Sequence, residues 1–246
     1  MCSSDLFGRI GAISFNGNKT ITTGGGGMML FMDEELGAYA KHITTQAKIP
    51  HCWEFRHDHI GFNYRMSNVI AGIVRNQYPH LEEHIAAKKA IYERYKEGLK
   101  GLPVSMNPFD GENSEPNFWL SCMIIDRDAM CKQVRGEQEP LYVPETGKSC
   151  PTEILDAIAG INAEGRPIWK PMHMQPIYRM NGFVTREGNG RAKTNAYISG
   201  GAVGKDGRPL DVGMDIFHRG LCLPSDNKMT AEQQDRIIEV IRACFE

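Results

Sequence analysis

The sequence predicts an α/β protein, and three observations carry that expectation. Short apolar runs with strand character alternate along the chain with segments of helical period. Capping residues and acidic first turns mark where helices begin. Glycine and proline fall between the periodic segments, where the chain must turn.

Residues 10–15 (IGAISF) read as a buried strand, followed by a turn at Asn16, Gly17 and Asn18. Ile21 and its threonines suggest a second short extended piece, and residues 28–32 another strand. Asp33 is suited to cap a helix reaching about Ala47, with Glu34 and Glu35 in its first turn. Residues 50–64 show no clear period and read as a loop. Ser67 caps a helix through about Tyr78, which Pro79 interrupts. A longer helix then runs from about Leu81 to Leu99, with Leu81, Ile85, Tyr92, Tyr95 and Leu99 on one face. Gly98, Gly101 and Pro103 end it.

Residues 117–125 (NFWLSCMII) read as a strand. A helix from about Pro151 carries Ile154, Ile158 and Ile161 on one face and closes at Gly165. Residues 181–213 hold eight glycines and read as a long loop. Thr230 and Gln233 form a capping box for a final helix that buries Ile237, Ile241 and Cys244.

The 246 residues suffice for one large domain or two smaller ones. A boundary near residue 80 gives domains over 1–80 and 81–246. The formal net charge of −2 excludes a general affinity for nucleic acid or an acidic membrane. Seven cysteines, an odd count without a CxxC pair, argue for a reducing compartment over a disulfide framework. There is neither a spanning apolar run nor a signal-peptide layout, so a soluble cytoplasmic protein is expected.

Ser14 and Lys19 straddle a turn at a strand end. A lone lysine at a loop tip is ordinarily a solvated surface residue. A lysine turned into a cleft instead loses charge stabilisation, and its amine becomes a nucleophile toward carbonyls. Gly24–Gly27 admits a phosphate-cradle reading, but it lacks both the GxGxxG spacing and the GK[ST] ending. Such a run also lets backbone or ligand approach closely.

The combination is more specific than its parts. SFNGNKTITTGGGGM over residues 14–28 resembles the lysine segment of the DegT/DnrJ/EryC1/StrS family of sugar aminotransferases. GFNYRMS over 61–67 resembles a second family signature. RPIWKPMHMQP over 166–176 resembles a third, found in the branch that aminates UDP-linked 4-keto-6-deoxy sugars, as in bacillosamine-type pathways. LCLPS over 221–225 and the closing helix match the family's C-terminus.

The resemblance implies a fold-type I, aspartate-aminotransferase-like architecture, with part of the large cofactor domain followed by a small C-terminal α/β domain. It implies pyridoxal 5′-phosphate (PLP) as cofactor, with Lys19 forming the imine and Ser14 binding the phosphate. Asn63 would reach the phosphate of a neighbouring subunit, so a homodimer with its active site at the interface is implied. Arg65 would lie near the sugar nucleotide, where a guanidinium suits a diphosphate. Trp169, Lys170 and His173 would line the sugar-nucleotide pocket, with Trp169 open between pocket wall and packing aromatic. Relatives that dehydrate the sugar have histidine at the lysine position, so Lys19 favours transamination, with glutamate as the implied donor, in bacterial surface-glycan synthesis.

Other readings stay open. One is a PLP-fold fragment or subunit without catalysis, and another is an enzyme acting on a GDP-linked sugar or a cyclitol. His51, Cys52, His57 and His59 cluster, but adjacent His51 and Cys52 are poor ligand geometry, so no metal is expected there.

Family members carry a further segment before the lysine strand, with the carboxylate that pairs with the pyridinium nitrogen. Residues 1–6 do not resemble the family, and CSSDL over 2–6 can be encoded by a common sequencing adapter. An N-terminally truncated fragment, with residues 1–7 artefactual, is therefore expected. Recovering the reading frame from source DNA tests this, and a start at Met1 would refute it.

Overall fold

The apolar run at residue 10 becomes strand β1 (Ile10–Ser14), paired antiparallel with β2 (Gly27–Phe31) in register Ile10↔Phe31 to Ser14↔Gly27. The computed structural model describes residues 8–50, 53–135, 140–178, 207 and 211–246. The chain falls into two compact units, Met1–Ala86 with Gly111–Trp119, and Ala87–Asp110 with Leu120–Glu246. Residues 1–7, His51, Cys52 and most of the expected 181–213 loop lie outside the described residues.

In the first unit, Asp33 caps helix α1 (Glu34–Thr44), accepting from the amides of Glu35 and Leu36 at 3.0 Å. Glu34 and Glu35 sit at the positive end of the helix dipole, and Lys41 and His42 at the negative end. The helix stops short of Ala47 because Gln46 and Ala47 take left-handed backbone angles, φ 70° and 47°. The expected loop over 50–64 contributes β4 (Arg56–His57) to a short ladder with β3 (Lys48–Ile49), just before it. A strap then runs back along the end of α1. Phe62 N donates to Ile43 O at 2.8 Å, Tyr64 N to Thr44 O at 3.0 Å, and Thr45 bridges Asn63.

Ser67 caps helix α2 (Asn68–Gln77), and its hydroxyl accepts from Ile70 N at 3.4 Å. Pro79 does not open a gap. It sits in a 3₁₀ turn (Tyr78–His80), where a missing N–H costs nothing, and the chain passes directly into α3 (Leu81–Gly98). Ile21 and its neighbours form no strand, because Thr22 and Thr23 turn the chain instead. Thr22 donates its hydroxyl to Phe15 O at 3.0 Å, which closes a loop and not a ladder.

The second unit is built on a four-stranded antiparallel sheet. It contains β5 (Val104–Met106), β6 (Ser121–Ile125), β9 (Arg166–Pro167) and β10 (Gly220–Leu223), in spatial order β5-β6-β10-β9. A separate hairpin joins β7 (Lys132–Arg135) to β8 (Pro140–Val143). Helices α4 (Pro151–Ala159), α5 (Val212–Arg219) and α6 (Ala231–Ala243) complete it. The core gathers Tyr95, Leu99, Met123, Ile125, Ile154, Ile158, Leu221, Ile237 and Ile241. It therefore joins the buried face of α3 to the sheet and to α4 and α6.

Several expectations shift here. Residues 117–120 lie before β6, with Phe118 at φ 50°. Helix α4 ends at Ala159, with Gly160 as its C-cap, so Gly165 does not close it. Instead, a side chain at 165 would strike Ile158 at 2.7 Å and Leu155 at 2.8 Å. The capping box forms as expected, with Gln233 N to Thr230 Oγ1 at 3.2 Å and Thr230 N to Gln233 Oε1 at 2.9 Å. Ile237 and Ile241 are buried, whereas Cys244 is only half-buried.

One buried charge cluster fixes α5 against the sheet. Asp215 is 3% exposed. It meets Arg219 at 2.6 Å and Arg127 at 2.7 Å, and Arg219 also donates to Ile125 O. Removing the carboxylate leaves two guanidiniums without their counter-charge. Asp215→Ala is expected to lower the unfolding free energy by about 3 kcal/mol, read by urea denaturation under circular dichroism. Arg94→Ala, which breaks an exposed pair with Asp235, is expected to cost far less.

Candidate cofactor and substrate site

Lys19 sits on the broad loop between β1 and β2. Backbone bonds pinch that loop closed at its base, from Phe15 N to Gly26 O and from Thr23 N to Phe15 O, both 3.0 Å. Within it, Lys19 N donates to Asn16 O at 3.0 Å and forms a turn. Two helices of the same unit hold the far side. Gln77 accepts from Thr22 N at 2.8 Å, and His84 Nδ1 lies 3.0 Å from Thr20 O. The lysine is thus carried on a braced platform.

Its ammonium lies 3.7 Å from the centre of the Trp119 ring. The same indole donates to Asn18 O at 2.6 Å, which locks the ring over the turn. A cation on an indole face is held by the ring quadrupole. Lys19 is half-buried and pairs with no carboxylate among the described residues. Ser14 ends β1 on the same hairpin, with Oγ 3.3 Å from Asn16 N and exposed to solvent.

The four glycines lead into β2, so no helix N-terminus stands behind them as a phosphate cradle needs. Gly24 and Gly26 take left-handed angles, φ 77° and 83°. Open space surrounds Gly24 and Gly25, whereas a side chain at Gly27 would sit 2.5 Å from Ile13 O. The run therefore makes a bend and a close strand contact, and leaves room beside the lysine loop.

Asn63 and Arg65 lie on the strap before α2, exposed. Trp169, Lys170 and His173 belong to the second unit, on the segment following β9. Trp169 is 59% exposed, and Lys170 is exposed too. His173 is half-buried, with Nε2 2.6 Å from Asp211 Oδ2. Asp211 also caps α5, accepting from Met214 N at 2.9 Å. Ser14, Lys19, Asn63 and Arg65 thus share one unit, and Trp169, Lys170 and His173 share the other.

Sequence reasoning missed Trp119, Gln77, His84 and Asp211. Trp119 stands a hundred positions from Lys19, inside a run that reads as strand, so no local spacing signals it.

Among the described residues, two groups could hold a metal by geometry. His42, Asp58 and His59 converge in the first unit, and Cys131, Cys150 and Glu153 in the second. Of the histidines weighed from sequence, His57 is engaged elsewhere, with Nδ1 2.7 Å from Gln46 O. Hydrogen bonds from His42 and His59 hold the Asp58 carboxyl down to about 2. Burial, with Cys150 and Glu153 close by, pushes the Cys131 thiol up to about 12. A thiol so placed stays protonated at neutral pH and is a poor ligand and nucleophile. Cys131 is therefore expected to resist alkylation in the native chain at neutral pH and to react after urea unfolding, as mass spectrometry of trapped peptides will show.

The family model for the DegT/DnrJ/EryC1/StrS aminotransferases matches residues 6–196. EpsN of Bacillus subtilis (strain 168), named as a pyridoxal phosphate-dependent aminotransferase, is 34% identical over 98% of this chain and 52% of its own length. A GDP-perosamine synthase of Escherichia coli O157:H7 is 32% identical over 70% of this chain and 41% of its own. Among solved structures, the aminotransferase TlmJ from Streptoalloteichus hindustanus superposes with a TM-score of 0.69 at 19% identity, over 96% of this chain and 52% of that one. The chain spans about half the length, or less, of the curated relatives it matches. The fold likeness agrees with the fold-type I architecture that the motifs imply. On the extent and identity of these matches, the chain belongs to the DegT/DnrJ/EryC1/StrS aminotransferase family.

Proposed function

We propose that this chain is part of a PLP-dependent aminotransferase that aminates a nucleotide-linked 4-keto-6-deoxy sugar, with UDP as the nucleotide and glutamate as the donor. One observation carries the reading most. Lys19 rides on a loop braced from both sides, with its ammonium on an indole face and no carboxylate paired with it among the described residues. Ser14 on the same hairpin, and the open space at Gly24 and Gly25, fit an aldehyde and a phosphate arriving together. When bound, the cofactor supplies the electron sink that lets a carbon–hydrogen bond beside nitrogen ionise.

The chain's own residues do the rest in this reading. Lys19 Nζ anchors the cofactor and, once released, carries a proton to and from the donor's α-carbon. Ser14 Oγ donates to the phosphate, and Asn63 serves the phosphate of a partner subunit in a homodimer. A covering partner is supported by the large apolar side chains exposed around that strap, among them Trp53, Phe55, Ile60 and Tyr64. Arg65 pairs with the diphosphate. Trp169, Lys170 and His173 line the sugar-nucleotide pocket, with His173 oriented by Asp211.

A GDP-linked sugar is the second reading, favoured by the 32% identity to a protein named GDP-perosamine synthase. A cytoplasmic setting is supported by five unbonded cysteines among the described residues, with Cys122 and Cys222 only 3.7 Å apart. No helix among the described residues is long and apolar enough to cross a membrane. The product's destination in surface-glycan synthesis belongs to the same proposal.

The test is an absorbance titration of the protein with PLP. A visible band that shifts on adding glutamate is expected, and Lys19→Ala is expected to abolish it. If wild type gives no band, or Lys19→Ala keeps it, the reading fails. Arg65→Gln is expected to raise KM for the nucleotide sugar about tenfold or more, the worth of a charge-assisted hydrogen bond, and to leave KM for glutamate unchanged. Parallel kinetics with UDP- and GDP-linked 4-keto sugars separate the two substrate readings.

A further inference from the structure

We propose that His42, Asp58 and His59 form a site for one divalent transition-metal ion of the zinc class, which clips the end of α1 to the strap carrying Asn63 and Arg65.

The ligand atoms of the three residues all lie within 4.8 Å of one another. His42 Nε2 is 2.6 Å, and His59 Nδ1 3.1 Å, from the same oxygen of Asp58, Oδ1. Both imidazoles therefore aim at one point, and the second carboxylate oxygen is left over. The two rings stand at 89° with centroids 6.2 Å apart, so neither blocks the other. Bonds of about 2.0–2.1 Å in a tetrahedral site place ligand atoms roughly 3.4 Å apart. The 2.6 and 3.1 Å separations lie just inside that spacing.

The donor set names the ion class. Two imidazoles and one carboxylate suit zinc, nickel or cobalt, whereas calcium and magnesium require oxygen cages. Three protein ligands leave a fourth position for water on the open side, where Asp58 and His59 are exposed. Lys48 does not compete for the carboxylate, because its ammonium lies over the Phe55 ring at 3.6 Å.

The backbone is set before any ion arrives. His42 O accepts from Ala47 N at 2.9 Å, and Asp58 N donates to Ala47 O at 3.4 Å. Ala47 thus ties the two ligand-bearing segments together through both its amide and its carbonyl. A few residues beyond the ligands, the strap pairs with α1 at Phe62 and Tyr64. An ion here adds a cross-link where the strap carries Asn63 and Arg65. Sequence spacing groups His51, Cys52, His57 and His59 without good ligand geometry. His51 and Cys52 lie outside the described residues and His57 bonds Gln46 O, whereas His59 converges with His42, which comes from a helix.

The experiment is equilibrium dialysis of the 246-residue chain against zinc chloride, with metal counted by mass spectrometry. One zinc per chain is expected. His42→Gln and His59→Gln are each expected to weaken binding about tenfold or more, with circular dichroism unchanged because both side chains reach solvent. Cobalt substitution is expected to give a spectrum without a thiolate charge-transfer band, and Cys131→Ser to leave affinity unchanged. Zinc is expected to slow amide exchange at residues 62–65. No binding by wild type overturns the proposal. So does undiminished binding by the His42→Gln/His59→Gln double variant, a cobalt–thiolate band, or bound zinc without added protection of the strap. None of these readouts uses PLP, so the proposal stands or falls independently of the one for Lys19.

Discussion

The first unit depends on how the loop between β1 and β2 is closed. Phe15 gives its amide to Gly26 and its carbonyl to Thr23 and Thr22, so one buried residue ties both arms of the loop. Gln77 and His84 then fasten the loop's outer side to the helices. A loop held at that many points loses its freedom in folding, and not at the moment a ligand binds. This is the economy of preorganisation. A lysine on a floating loop would spend its nights in water. This one rests on an indole that is itself hydrogen-bonded to the turn.

The strap from Asp58 to Tyr64 repeats the principle by other means. It has almost no regular structure, yet its amides and carbonyls are taken up by the end of α1. That is possible because α1 stops early. The left-handed backbone at Gln46 and Ala47 turns the chain away and frees the last helical carbonyls to accept from outside. The termination of a helix and the placement of Asn63 and Arg65 are thus one event. The large apolar side chains nearby remain exposed, which a surface meant for water avoids.

The second unit is held by ordinary means, an apolar core between an antiparallel sheet and its helices. Its less ordinary feature is Asp215, buried between two arginines. Such an ion pair adds little net stability over an apolar replacement, but it penalises wrong packing heavily. It therefore specifies where α5 sits. Asp211, at the start of that helix, in turn orients His173. Caps and buried charges, more than hydrophobic area, position the polar groups of this unit.

Much of this was legible in the sequence. The caps at Asp33, Ser67 and Thr230, the face of α3 and the strands at 10 and 28 follow from local rules, because a cap or a period acts within a few residues. The lysine, serine, asparagine and arginine are proposed as site residues through motifs that keep their spacing whatever the rest of the chain does. Tertiary structure alone decided that Pro79 extends a helical path, that Ile21 belongs to a loop, and that Trp119 covers Lys19. It also decided that, among the described residues, His42 and Asp58 stand beside His59. The reason is physical. Propensity and periodicity report on neighbours along the chain, whereas the partner of a charge or a ring is whatever folding brings within a few ångströms.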